Sequence, residues 1–366
     1  MLWTRKYFDQ WEWYHRPVSP MEKSLLLPVH INQALSLITK RLGIKFPKHA
    51  WAVINGYLYM TAKYKSVLFQ PTILLLPFRF WSKLSWANQR WTNQILPVYR
   101  KRLINLEKID LKTKTTKKLI SLLKEIAVVE GEFLAESVYV VLFAIFSEVL
   151  LKTAYKLMIK DGNFLNYHEL LVGYPDKGIE ADRRLWEIAG LREDENKTNR
   201  LREWIKEYGH RIQDKDILYP TLGETPATIK AFLKLYRETP NPADKVKAAV
   251  NARKSREVYA GEHLRFPLIS KRFFNWTKSL AQEYAKIRNS RPYEYRGNAI
   301  IRRILLQLGG RITVLKLPQE VFYLTINELE TAAGGNLDSG FRQNLVDRIG
   351  KYQKQSAVSP PLTVKL

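Results

Sequence analysis

Two short stretches of this sequence hold residue types that can do chemistry together. In "YGHRIQDKD", His210, Arg211, Asp214 and Asp216 follow Gly209, a helix-ending glycine. Imidazole, guanidinium and carboxylates in that order can bind an anion or orient a ligand. The same residues also suit a hydrogen-bonded loop that caps and joins two helices. In "NSRPYEYRGNAIIRR", Pro292 suits a first helical position, where its missing amide hydrogen costs nothing. A helix starting there places Arg291 at its N-terminus, Arg296 one turn on, and Arg302 and Arg303 beyond. Unpaired amides and the helix dipole favour a phosphate at such an end, and a guanidinium strengthens the attraction. The plainer reading is a surface arginine paired with a nearby carboxylate.

No other catalytic signature is present. The sequence contains no P-loop, no Gly-rich dinucleotide turn, no HExxH and no EF-hand loop. The six histidines, His15, His30, His49, His168, His210 and His263, show no metal-ligand spacing. The absence of cysteine excludes disulfides and thiolate chemistry, and fits a cytoplasmic chain. The opening "MLWTRKYFDQWEWYH" lacks the order of a secretory signal. The most apolar run, Val138 to Phe146, is bracketed by Glu136 and Glu148 and is shorter than a bilayer span, so it reads as a buried core helix.

The net charge is +25, and residues 1–130 hold 22 Lys/Arg against 7 Asp/Glu. Such an excess draws anionic partners, whether phosphorylated ligands, nucleic acid, anionic lipid or an acidic protein; a solvated basic surface gives the same count. Nucleic acid is the weaker choice, because no RRM, KH or helix-turn-helix signature accompanies the charge.

The elements that must position these residues read as helix after helix. Seven of the ten tryptophans, Trp3, Trp11, Trp13, Trp51, Trp81, Trp86 and Trp91, lie in the first quarter, where core packing is the ordinary reading and a wall for a bulky ligand the functional one. Leu35, Ile38 and Leu42 share a helical face. "LEKIDLKTKTTKKLISLLKEIAVVEGEFLAESVYVVLFAIFSEVLLKTAYKLM" reads as two long helices, the second mostly buried. Residues 243–287 are helical apart from Pro267. The helix predicted from Pro292 ends at Gly309 and Gly310. The expectation is a mainly α, elongated multi-helix domain with little or no sheet. An aromatic-rich basic subdomain (1–160) precedes a second helical subdomain (161–355), and residues 356–366 read as a linker.

Five phrases, "PVSPMEKSLL", "HELLVGYPDKGIEADRRLWEIA", "YGHRIQDKDI", "SRPYEYRGNAIIRRILLQLGGRI" and "LPQEVFYLTINELE", stand in an order that resembles the helical central region of phosphoenolpyruvate-utilising enzymes. The likeness is to phosphoenolpyruvate synthase-like proteins and rifampicin phosphotransferase. The resemblance implies an acceptor-binding part that works with an ATP-grasp domain, where ATP and Mg bind, and with a swivelling phosphohistidine carrier. Neither of those has a counterpart in this chain, which by resemblance binds no cofactor alone, is inactive alone and meets both as separate chains. It further implies that Arg291 stabilises the transferred phosphate and that His210, Arg211, Asp214, Asp216 and Tyr295 line the acceptor site. Three departures stand out. Ile212 and Gln213 replace a glycine-led loop that is one residue longer. Pro292 replaces a glutamate. Tyr295 replaces a lysine implicated in transfer, whose charge the adjacent Arg296 is placed to cover. These changes keep a second reading open, that of a non-catalytic scaffold of the same family.

Overall fold

A computed structural model describes residues 1–6, 14–61, 76–174, 176–211, 214–335, 337 and 339–366. Trp11, Trp13, Pro175, Ile212, Gln213 and most of "QPTILLLP" lie outside the described residues. Helix makes up 70% and strand 5%, so the fold is mainly α with little sheet, as the sequence predicts.

The helices are α1 (Leu27–Leu42), α2 (Leu76–Trp81), α3 (Leu84–Arg90), α4 (Leu96–Glu107), α5 (Thr116–Met158), α6 (Lys177–Ala189), α7 (Glu195–Tyr208), α8 (Pro226–Glu238), α9 (Pro242–Glu262), α10 (Pro267–Ser290), α11 (Gly297–Gly309), α12 (Ile326–Ala333) and α13 (Phe341–Ser356). Side chains start many of them by accepting an otherwise orphaned amide. Asp176 takes Ile179 N at 2.8 Å, Asp194 takes Lys197 N at 2.8 Å, and Thr325 with Glu328 closes a reciprocal cap on α12. A π-helical turn, Glu22–Leu26, runs into α1, and another, Trp91–Ile95, joins α3 to α4. Each inserts an extra residue per turn and re-aims the side chains around it.

The spine is α5. It is one helix of 43 residues, not the two that the sequence suggests, and is capped by Thr115, whose hydroxyl accepts Lys118 N at 3.2 Å. Gly131 does not break it: a Cβ there would overlap Val29 and Gln33 of α1, so the glycine serves close helix approach. By length and composition α5 could cross a membrane, but its most apolar window is 56% buried among the other helices. Its neighbours are α1, α10 and α11. The largest core runs from Met21 to Leu345, across the expected subdomain boundary at residue 160. A second core joins the C-terminal end of α5 to α9 and α10. A third lies among α6, α7 and α8.

A small antiparallel sheet has the order β2–β3–β1–β4, with β1 Leu2–Thr4, β2 Trp51–Ile54, β3 Tyr57–Thr61 and β4 Thr363–Lys365. Asn55 (φ 48) and Gly56 (φ 85) form the β2–β3 turn, since a tight hairpin needs two successive residues at positive φ. The segment expected to be a linker therefore contributes an edge strand, with Trp3 opposite Val364.

The start of α11 also differs from expectation. The long helix before it, α10, continues to Ser290. Arg291–Glu294 is a short 3₁₀ turn holding Pro292, and α11 begins only at Gly297.

Candidate functional site

The five family-like phrases, up to three hundred residues apart, meet around the loop that follows α7. Asp216 accepts from Ser19 N at 2.5 Å and from Ser19 Oγ at 2.7 Å. Glu22 accepts from Ile217 N at 3.3 Å. Arg302 of α11 donates to the Ile217 and Leu218 carbonyls at 2.8 and 2.7 Å and lies 4.7 Å over the Phe322 ring. Lys177 of α6 reaches Glu294 at 2.5 Å, and Ile326 N donates to Ser24 Oγ at 3.0 Å.

The predicted residues divide between two sides of this loop. On the buried side lie Asp214, Asp216, Arg291 and Tyr295. Arg291 donates to Ser137 Oγ of α5 at 3.1 Å, and Tyr295 OH lies 2.5 Å from the same hydroxyl. Sequence reasoning missed three ionisable groups here, namely Lys215, Glu22 and Glu130, all buried. The Lys215 ammonium sits 4.0 Å from the Tyr295 ring centre. Glu130 accepts from Gly297 N at 2.9 Å and from the Tyr99 hydroxyl. Gly297 is required by that approach, because a Cβ would overlap the Glu130 carboxylate.

These placements correct two expectations. The first is the anion site: Arg291 is not at the N-terminus of a long helix, and a start of α11 open to phosphate is instead met by the Glu130 carboxylate, which supplies the negative charge the dipole favours. The second concerns Arg296, which does not take over the charge lost at Tyr295. Its guanidinium donates to the Lys206 and Glu207 carbonyls at 3.2 and 3.0 Å, capping the C-terminal end of α7. The cations beside Tyr295 are Lys215, over its ring, and Arg291, which shares the Ser137 hydroxyl with it.

On the open side, His210 and Arg296 line a cleft of about 140 Å³ with Lys177, Glu207, Tyr293 and Glu294. The His210 Nε2 faces the Tyr293 carbonyl at 2.9 Å, which makes Nε2 the protonated nitrogen. Arg211 lies 4.5 Å over the Tyr293 ring. Arg100 and Lys177 both hold Glu294.

Beside the buried side runs a larger groove of about 720 Å³ between α1, α4 and α5, with Gln33, Leu37, Ile95, Val98 and Phe133 on its walls. Phe133 stacks on Tyr99 with centroids 3.7 Å apart, and Tyr99 carries its hydroxyl to Glu130. One aromatic layer therefore separates the groove from the polar cluster.

Several buried polar atoms of this region have no hydrogen-bond partner among the described residues. They are both ring nitrogens of His30, Oε1 of Gln33, Oε2 of Glu130 and both amide atoms of Asn298. Buried polar atoms are nearly always paired because leaving one bare costs about 1–3 kcal/mol. Several such atoms in one region are costly to stability unless water or a ligand reaches them. Among the described residues no group of three or more His, Asp or Glu side chains could hold a metal ion.

Burial sets the charge states. It pushes Glu22 up to about 8, with the Asp216 charge adding to the effect, and pushes Asp216 up to about 6 against the hydrogen bonds from Ser19 and Leu218. It lowers Lys215 against the attraction of Glu130 and Glu22. It brings His210 down to about 4, with Arg296 adding to the shift, and holds His30 well below its ordinary range.

Glu22 and Asp216 thus hold protons in the fold that the unfolded chain has released. The stabilising contribution of each is complete below the ordinary carboxylate range and is lost as pH rises, through about 6 for Asp216 and about 8 for Glu22. Glu22→Gln keeps the shape and removes the titration. Between about pH 5 and 8 the native chain is expected to lose roughly 2–3 kcal/mol relative to this variant, read from urea unfolding at each pH. His30 and His210 act with the opposite sign below about pH 6.5, and comparison with the variant at each pH cancels them. Parallel stability curves would contradict a protonated Glu22.

No protein-family model matches the chain, and no curated protein matches it.

Proposed function

We propose that this chain is the acceptor-binding part of a phosphoenolpyruvate synthase-like phosphotransferase, receiving a phosphoryl group from a phosphohistidine carrier on another chain. The observation that carries this reading is that the five family-like phrases are joined to one another by side-chain contacts on both sides of the loop after α7. These phrases, far apart in the sequence, touch each other through Ser19–Asp216, Glu22–Ile217, Arg302–Ile217, Lys177–Glu294 and Ile326–Ser24.

In transfer, the N–P bond of the carrier breaks and an O–P bond to an acceptor hydroxyl forms, and catalysis is mainly positioning and charge stabilisation. Arg291 and Lys215 supply the positive charge in this reading, with Lys215 standing beside Tyr295 where the resemblance calls for a lysine. The mostly apolar groove of about 720 Å³ has room for an acceptor of drug-like size, one aromatic layer away from Arg291 and Lys215 in this reading.

The test is reconstitution. The purified chain is mixed with ATP, Mg and separately encoded ATP-grasp and phosphohistidine proteins, and acceptor phosphorylation is followed. Transfer that needs all three chains is expected. Failure of the chains to associate, together with no stimulation, would overturn the proposal.

The scaffold reading is favoured by Tyr295 in the lysine position and by Arg296 tied to α7. It expects the three chains to assemble whether or not Arg291 is present.

A further inference from the structure

Where α5 ends against the turn between α9 and α10, apolar side chains stand in solvent among cations. Leu268 is 101% exposed and Phe266 78%, with Leu157 at 62% and Leu165 at 48%. Single exposed apolar residues are ordinary, but a group at one end of a molecule is not.

The turn itself is firmly held. Arg265 N donates to the Met158 carbonyl at 2.6 Å, and Lys160 N to the His263 carbonyl at 2.9 Å. Ser270 Oγ donates to the Arg265 and Phe266 carbonyls at 2.6 and 3.0 Å. These bonds fix Phe266 at φ 53, ψ 59, a left-handed conformation that a bulky side chain rarely adopts. Strain of this kind persists only where the surroundings impose it, and here it keeps an aromatic ring out of the core.

Lys152, Lys156, Lys160, Arg265, Lys271 and Arg272 stand within a few residues of these side chains along the end of α5, the turn and the start of α10. The ion pairs recorded at this end, Arg256 with Asp161 and with Glu169, involve none of the six. Lys152 and Lys156 each lie 5.5 Å from the Phe164 ring.

We infer that this end docks on an anionic membrane surface, with Phe266 and Leu268 entering the boundary between headgroups and acyl chains. Two observations select lipid over a protein partner. The tip is convex, since Leu268 is shielded by nothing, and a fluid acyl layer accepts a protruding side chain without a matching pocket. The surrounding cations have long aliphatic stems, which lie along an apolar layer while their charges meet anionic headgroups. This inference does not depend on the phosphotransfer reading.

Flotation of the full chain with phosphatidylcholine vesicles, with and without phosphatidylserine, tests it. Vesicles containing phosphatidylserine are expected to hold the chain at least about tenfold more tightly than those without, and less tightly as salt rises. The double variant Phe266→Ser, Leu268→Ser is expected to lose about tenfold or more of that binding. Lys271→Glu with Arg272→Glu is expected to lose a similar factor. Both apolar side chains lie in solvent, so the serine variant should keep the native circular dichroism and unfolding midpoint. Absence of binding to phosphatidylserine vesicles at low salt would overturn the inference. So would binding that the serine variant leaves intact, which would mean that general positive charge attracts lipid with no insertion. A serine variant that fails to join a protein partner, while the native chain ignores vesicles, would make this end a protein-docking surface instead.

Discussion

Alanine at Arg302 is expected to lower the free energy of unfolding by about 4 kcal/mol. The guanidinium is buried and donates to two carbonyls, Ile217 O and Leu218 O, while its Nε lies 2.9 and 3.0 Å from the Glu224 oxygens. Removing it leaves the buried Ile217 carbonyl and the half-buried Leu218 carbonyl without their donor and releases Glu224 at once. Lysine keeps the charge but cannot reproduce a planar fork that serves three acceptors, so Arg302→Lys should recover only part of the loss. Urea unfolding of the three proteins decides the matter, and a loss under about 1 kcal/mol for the alanine variant would show that the loop is held by other contacts. Amide exchange at residues 214–218 should quicken in both variants, because the loop loses its tie to α11.

In the reconstituted transfer reaction, Arg291→Ala is expected to lower kcat by about 10²- to 10³-fold, and Lys215→Met by a comparable factor. Arg296→Ala should stay within about threefold, because its guanidinium serves the end of α7 and not the polar centre. The ordering of these effects carries the information. A phosphate-stabilising pair predicts large losses at Arg291 and Lys215 with unchanged assembly of the three chains. A scaffold predicts no ordering at all. Because Arg291 and Lys215 are both buried, each variant is paired with an unfolding curve, so that a loss of fold is not read as a loss of chemistry.

The fold class was legible because it rests on periodicity and capping chemistry, which are local. Pro242, Pro267 and Gly310 punctuate α9, α10 and α11 much as their conformational limits dictate. The errors came from signals whose meaning depends on distant partners. The stretch that forms α5 read as two helices; the close approach of α1 at Gly131 and the pairing of Glu130 with Gly297 show one helix passing straight through. Pro292 suits a first helical position but here sits in a 3₁₀ turn, since Arg291 must first turn back to Ser137.

Other signals were present and unused. Asn55-Gly56 between two short apolar runs is a hairpin signature in plain view. Glu130 and Ser137 are polar positions on the buried face of α5, which is how a buried site on a spine announces itself. Lys215 carried no such mark, because a lysine between two aspartates reads as solvated loop until burial is known. At the site itself, the phrases around Asp216 and Arg291 were identified, but the roles of individual residues within them depended on which way each side chain turned.

The length of α5 has one more consequence. Leu119 to Ala144 wall the largest core, while Leu151, Ala154 and Tyr155 wall the second, so a single rod of about 65 Å is shared property of both. Neither compartment can melt without fraying a partition on which the other leans. Heat or denaturant should therefore take both down in one cooperative step, leaving no half-molecule behind.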